Sequence, residues 1–185
     1  MALNATIHLF EIQLANVDRG VYERLSFRAA RHPSESEEGF LVRVLAYCLE
    51  HAEGIGFSNG LAEPEEPAIA VRDLTGQVRV WIDIGSPDAA RVHKASKAAP
   101  RVAIYTHKDP KKLLEEWTGK RIHRGPDVEL YGIDRSLVDG LVARLERRMV
   151  FALLLTGEHL YINIGEVGIE GALQRFALAP RAGDP

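Results

Sequence analysis

The residues best placed to do chemistry are carboxylates: Glu37 and Glu38 in SESEE at 34–38, and Asp83 in VWIDIGSPD at 80–88. Two oxygen ligands from separate elements are the minimum that holds Mg²⁺, which keeps waters and substrate phosphate oxygens in its other positions. Such a pair would support phosphodiester hydrolysis by a metal-activated water, with no covalent intermediate. Glu37 has a second explanation, as the third helical residue of a Ser34-x-x-Glu37 capping box. Glu38 falls at the edge of the following apolar stripe, beside Leu41 and Leu45, where a carboxylate is more often solvated than liganding. Other chemistries are weaker. The seven histidines include no pair four residues apart, as a helical zinc site would need. There is no GxSxG elbow, and Cys48 sits among apolar neighbours in LVRVLAYCLEH. Gly54–Gly60 and Gly165–Gly171 have the glycine density of phosphate loops but lack the lysine-serine pair.

The elements that must position these groups alternate between periods of 2 and 3.6 residues. Residues 3–15 and 24–31 read as neighbouring strands. Ser34 then opens a helix running to about His51, with Phe40, Leu41, Val44, Leu45 and Cys48 on one stripe. Residues 54–77, containing EPEEP, read as an acidic connection with little regular structure. A strand is plain from Gln77 to Ile84, with Asp83 on the face opposite Val78, Val80, Ile82 and Ile84. Ser86-Pro87-Asp88 starts a second helix, which stops before Pro100. Arg101–Thr106 is a strand, Pro110–Trp117 a helix, Val128–Ile133 a strand and Arg135–Arg147 a helix. Residues 149–155 and 159–164 form a hairpin. The pattern predicts a single α/β domain over 1–180 with a mixed central sheet flanked by helices, terminal hairpin strands, and a tail at 181–185.

The chain holds 185 residues, 46% hydrophobic and 26% charged, enough for one real core. One cysteine argues against a disulfide framework and for a reducing, cytoplasmic setting. No stretch has the length and apolarity of a membrane span. The net charge of -3 gives no global attraction to nucleic acid. Its distribution is uneven, however: residues 32–90 carry eleven acidic and three basic residues, residues 91–124 ten basic and three acidic. Any polyanion binding would be local, with Lys108, Lys111 and Lys112 as candidates.

MALNATIHLFEIQLANVDRGVYE, RHPSESEE at 31–38, Arg43–Tyr47, Leu61-Ala62, Glu66-Pro67, VWIDIGSPD, Arg91, Lys94-Ala95 and Ile104-Tyr105-Thr106, in that order, resemble the YaeQ family of bacterial proteins over nearly the whole chain. The resemblance implies a divergent restriction-endonuclease-like fold, that of nucleases with a Pro-Asp…(Asp/Glu)-x-Lys signature. It would place the helix glutamate at Glu38, the Pro-Asp pair at Pro67-Ala68 and the Asp/Glu-x-Lys at Asp83-Ile84-Gly85. Ala68 has no metal-binding oxygen, and Gly85 stands where a lysine would orient water. Arg91 or Lys94, on the next helix, would have to supply the missing cation, while Ser34, Glu35, Arg31 and His32 would flank the phosphate. The expectation is an Mg²⁺-dependent nuclease on DNA or RNA. Its rival is a non-catalytic module of the same fold that binds nucleic acid or a transcription-related protein.

Overall fold

The computed structural model describes residues 4–58 and 65–180. Strands β1 (Thr6–Asn16) and β2 (Val21–Arg31) form the first hairpin, and helix α1 (Glu37–Leu49) follows. Next come β3 (Ile55–Phe57), β4 (Ile69–Arg72), β5 (Val78–Ile84), α2 (Ala89–Ala98), β6 (Arg101–Thr106), α3 (Pro110–Trp117) and β7 (Glu129–Ile133). Helix α4 (Arg135–Val142) leads into β8 (Arg148–Thr156), β9 (His159–Ile164) and β10 (Val167–Ala177). All ten strands join one mixed sheet in the order β2-β1-β8-β9-β10-β7-β6-β5-β4-β3. The central β5-β6-β7 set is parallel, and β1 also runs parallel to β8.

The sheet curls almost shut around α1. Its two edges approach each other where Phe27 of β2 and Phe57 of β3 stand 5.8 Å apart, both against Tyr47 of α1. Helix α1 is therefore buried on all sides rather than along one stripe: Phe40, Val42, Val44, Leu45, Ala46 and Cys48 are fully enclosed. The run FLVRVLAYCL carries that information, since its only charge is Arg43. Helices α2 and α3 cover the outside of β5, β6 and β7, with Trp81, Val92, Ile104, Leu113 and Trp117 forming a second apolar layer. No described helix is long and apolar enough to cross a membrane.

Several local expectations are corrected. The cap of α1 is Ser36, whose hydroxyl accepts from Gly39 N at 3.0 Å; Ser34 is instead engaged by His32, with Ser34 Oγ 2.6 Å from His32 Nδ1. Helix α2 is capped by Asp88, which accepts from Arg91 N, so it begins at Ala89. Helix α4 ends at Val142, because the chain must turn to set Arg148 beside Leu9 of β1. The supposedly irregular 54–77 segment contributes β3 and β4, and Gly54 closes on Arg72, whose N–H donates to Gly54 O.

The largest correction is β10. The glycine-rich Gly165–Gly171 stretch is a turn followed by a strand, and that strand bridges the sheet. Val167–Ala172 pairs with β9 and Leu173–Ala177 with β7. At Gly171 a Cβ would lie 2.9 Å from the Cβ atoms of Asp134 and Leu137, so the missing side chain lets α4 lie directly on β10. Gly165, with φ +57°, serves the turn, and Gly171 serves the packing. Gly60, Leu61, Ala62 and the 181–185 tail lie outside the described residues.

Candidate functional site

At the carboxyl ends of β5 and β6 the start of α1 faces the start of α2 across a cleft of about 470 Å³. Ligands favour that location in sheets with parallel strands, since loops and helix amino termini converge there. Ser34, Ser36 and Arg43 line one wall, and Asp83, Gly85, Ser86 and Arg91 the other. Glu66–Ala68 and the pair His107 and Lys108 complete it.

Two buried carboxylates reach the cleft, and each is held by an arginine. Asp83 Oδ2 accepts from Arg91 Nε at 2.7 Å; Asp83 Oδ1 accepts from Arg91 Nη2 at 2.8 Å and from Ala68 N at 3.3 Å. Arg91 also donates to Glu66 O and stacks over Trp81. The hydrogen bond to Asp83 raises the Arg91 pKa against the opposing effect of burial. Opposite, Glu35 Oε1 and Oε2 accept from Arg43 Nε and Nη2, both at 2.8 Å. The Arg43 guanidinium lies 5.4 Å from the Phe40 ring and 5.2 Å from Phe57. Both pairs are two-point contacts, the geometry that most strongly fixes a carboxylate.

The sequence set Arg91 level with Asp83, because a helix folding back recovers about 1.5 Å per residue against about 3.3 Å along a strand, as a substitute cation beside a metal ligand; in the structure the two side chains bind each other. Lys94 turns outward to pair with Glu65. Glu38 lies on the first turn of α1, partly exposed and outside the cleft lining. Its own backbone N–H lowers its pKa, helped by Ser36 and the charge of Arg135. Arg31 pairs with Glu37. Lys108 lines the cleft mouth, and Lys111 and Lys112 follow it on the exposed side of α3, whose amino end is capped by Asp109. His107 has a buried Nδ1 without a partner among the described residues, and burial lowers its pKa. Among the described residues, no ion pair links the Lys108 ammonium to a carboxylate, unlike the Arg43 and Arg91 side chains that share the cleft.

The residues at hand do not fit an Mg²⁺ ion as they stand. Both oxygens of Asp83 accept arginine N–H groups, Ala68 offers no carboxylate, and Glu38 is not in the lining. Among the described residues no three His, Cys, Asp or Glu side chains cluster as a metal site.

A second polar constellation escaped the sequence reading. Below the carboxyl end of α1, Arg101 donates to Glu50 through Nη1 (2.6 Å) and Nη2 (3.0 Å), and to Glu129 through Nε (3.1 Å) and Nη2 (2.7 Å). Tyr105 and Tyr131 stack at 4.8 Å and donate their hydroxyls to Glu50 and Glu129 respectively. Burial pushes the Tyr131 hydroxyl up to about 12. The signal was present: Arg101 with Tyr105, and Glu129 with Tyr131, are spaced by even numbers on adjacent strands, so their side chains share a face.

The fold and cleft define an α/β protein with a nearly closed ten-stranded sheet around a buried helix and a charge-paired site at its parallel strand ends. The chain belongs to the YaeQ family, whose model matches residues 1–172. It is 36% identical over 107 residues to the uncharacterized protein YaeQ of Escherichia coli (strain K12), and 35% identical over the same length to that of Salmonella typhi. Each match covers 58% of this chain and 59% of the relative. The crystal structure of YaeQ protein from Pseudomonas syringae superposes with TM-score 0.84 at 27% identity, covering 94% of this chain and 96% of that one. The YaeQ protein of Xanthomonas axonopodis pv. citri gives 0.85 at 26% identity, covering 95% and 99%.

Proposed function

We propose that this chain is a non-catalytic module of restriction-endonuclease-like ancestry that holds the phosphate backbone of DNA or RNA at the cleft and its Lys108–Lys112 rim, in the cytoplasm. The observation that carries the reading is the two-point closure of both cleft carboxylates by arginine. Closed in this way, Asp83 and Glu35 no longer repel a phosphate, and the Ser86 hydroxyl with Lys108 provides donors. The cleft's formal charges nearly balance, because Glu66 also lines it. Binding should therefore be modest and depend on the lysine rim.

The rival is Mg²⁺-dependent phosphodiester hydrolysis with Glu38 and Asp83 as ligands. It would require Asp83 to leave Arg91 and the first turn of α1 to move Glu38 into the cleft, with Arg91 or Lys94 then serving as the missing lysine.

The test of the binding reading is salt dependence. Neutralising Lys108, Lys111 and Lys112 to glutamine should reduce the slope of log K against log salt by about 2 for single strands and somewhat more for duplex, uniformly across sequences. Fluorescence anisotropy with oligonucleotides measures this; an unchanged slope would remove the rim from the site.

A further inference from the structure

Strand β2 is one edge of the sheet, eleven residues long, and among the described residues its only ladder is to β1. Leu9 and Val17 send their N–H groups to the β8 side, so the even residues of β1 face β2. In the antiparallel register these meet odd residues of β2, as Leu14 meets Glu23 and Ile12 meets Leu25. The N–H and C=O groups of Tyr22, Arg24, Ser26 and Arg28 consequently point away from the sheet. No described residue bonds to them. The next outward carbonyl, that of Ala30, is taken by Arg43 Nη2 at 2.7 Å.

We infer that this open edge accepts an extended acidic segment of another protein as an eleventh strand. Arg24 and Arg28 are exposed and make no ion pair among the described residues. They lie about 13 Å apart on one face, at roughly 3.3 Å per residue. An added strand would set its own side chains opposite them, where opposite charges stabilise and like charges oppose pairing. On the other face, it would lie beside buried Leu25 and half-buried Phe27, entering the seam where β2 and β3 approach each other over the Tyr47 and Phe57 rings, so the added strand would fill the gap left between the two edges. The occupant is thus an acidic-apolar-x-apolar-acidic strand.

A second copy fits badly: two β2 strands pairing antiparallel about Ser26 would place Arg24 opposite Arg28 twice. Arginines at an edge ordinarily discourage self-pairing, and here they do so while leaving the backbone groups available to an acidic partner. A nucleic acid could use the arginines but would leave the outward backbone groups unmet.

The experiment titrates the full chain with a labelled, end-blocked nine-residue peptide carrying glutamates at i and i+4 and valines at i+1 and i+3. Saturable anisotropy is expected. N-methylating the peptide amide that faces Ser26 should weaken binding at least tenfold, and so should Ser26→Pro, which removes an outward N–H and no bond to β1. The Arg24→Glu/Arg28→Glu variant should lose the acidic peptide and bind its lysine counterpart. Binding should slow amide exchange at residues 24, 26 and 28. Absence of saturable binding, indifference to N-methylation of the peptide, or equal displacement by a single-stranded oligonucleotide would each overturn the inference. The N-methylated peptide tests the unmodified protein, so a folding defect in a variant cannot mimic the result.

Discussion

Replacing Arg43 with methionine should lower folding stability by about 3–5 kcal/mol, the cost of leaving one partner of a buried pair without its counter-charge. The side chains of Arg43 and Glu35 are 9% and 6% exposed, so the stranded carboxylate would be poorly hydrated even from the cleft it lines. Arg43 also joins the end of β2, through Ala30 O, to the segment before α1. The double variant Arg43→Met/Glu35→Leu should recover most of the loss, because an apolar pair of similar volume needs no charge compensation. Urea unfolding of the three variants and the wild type measures the coupling. Simple additivity would show that the pair does not act as a unit.

Arg101→Met should cost about 3 kcal/mol near neutral pH, since it strands Glu50, whose side chain is 5% exposed, and releases Glu129. The pH dependence identifies the cause. Burial alone would raise the Glu129 pKa, but the Arg101 and Tyr131 hydrogen bonds outweigh it and hold it below its ordinary value. A carboxylate depressed in the folded state contributes stability above its unfolded pKa, near 4.3, and that contribution disappears as pH falls through the folded value. The gap between wild type and variant should therefore be full at pH 7 and shrink progressively below about pH 4.5. Thermal or urea unfolding across pH 3–8 checks this. A pH-independent gap would assign the loss to packing of the arginine stem.

The same contrast explains what was legible in the sequence. Asp83 and Arg91 could be brought together beforehand because both sit on strongly patterned elements joined by a short turn, so rise per residue alone aligned them. Helix α1 was legible as a helix, but its burial on every side required a sheet that closes around it, and closure depends on β10. That strand hides behind Gly165, Gly168 and Gly171, whose lack of side chains erases the alternation that marks strands elsewhere. The Glu50-Arg101-Glu129 network was missed for another reason. Its members are 51 and 28 residues apart in sequence: the parallel register of β6 and β7 brings Glu129 to Arg101, and the end of α1 brings Glu50. Ser34 and Ser36 show the limit of local motifs: two serines two residues apart both precede glutamates, and the His32 contact decides which caps the helix.

With both Asp83 oxygens held by Arg91, the proposed cleft binds phosphate and does not cut it. Calorimetric titration of the wild-type protein with Mn²⁺, repeated on Asp83→Ala, tests this most directly. No saturable heat is expected from either protein. A saturable heat in the wild type that vanishes in Asp83→Ala would contradict this, because Asp83 would then be exchanging its arginine for a metal ion.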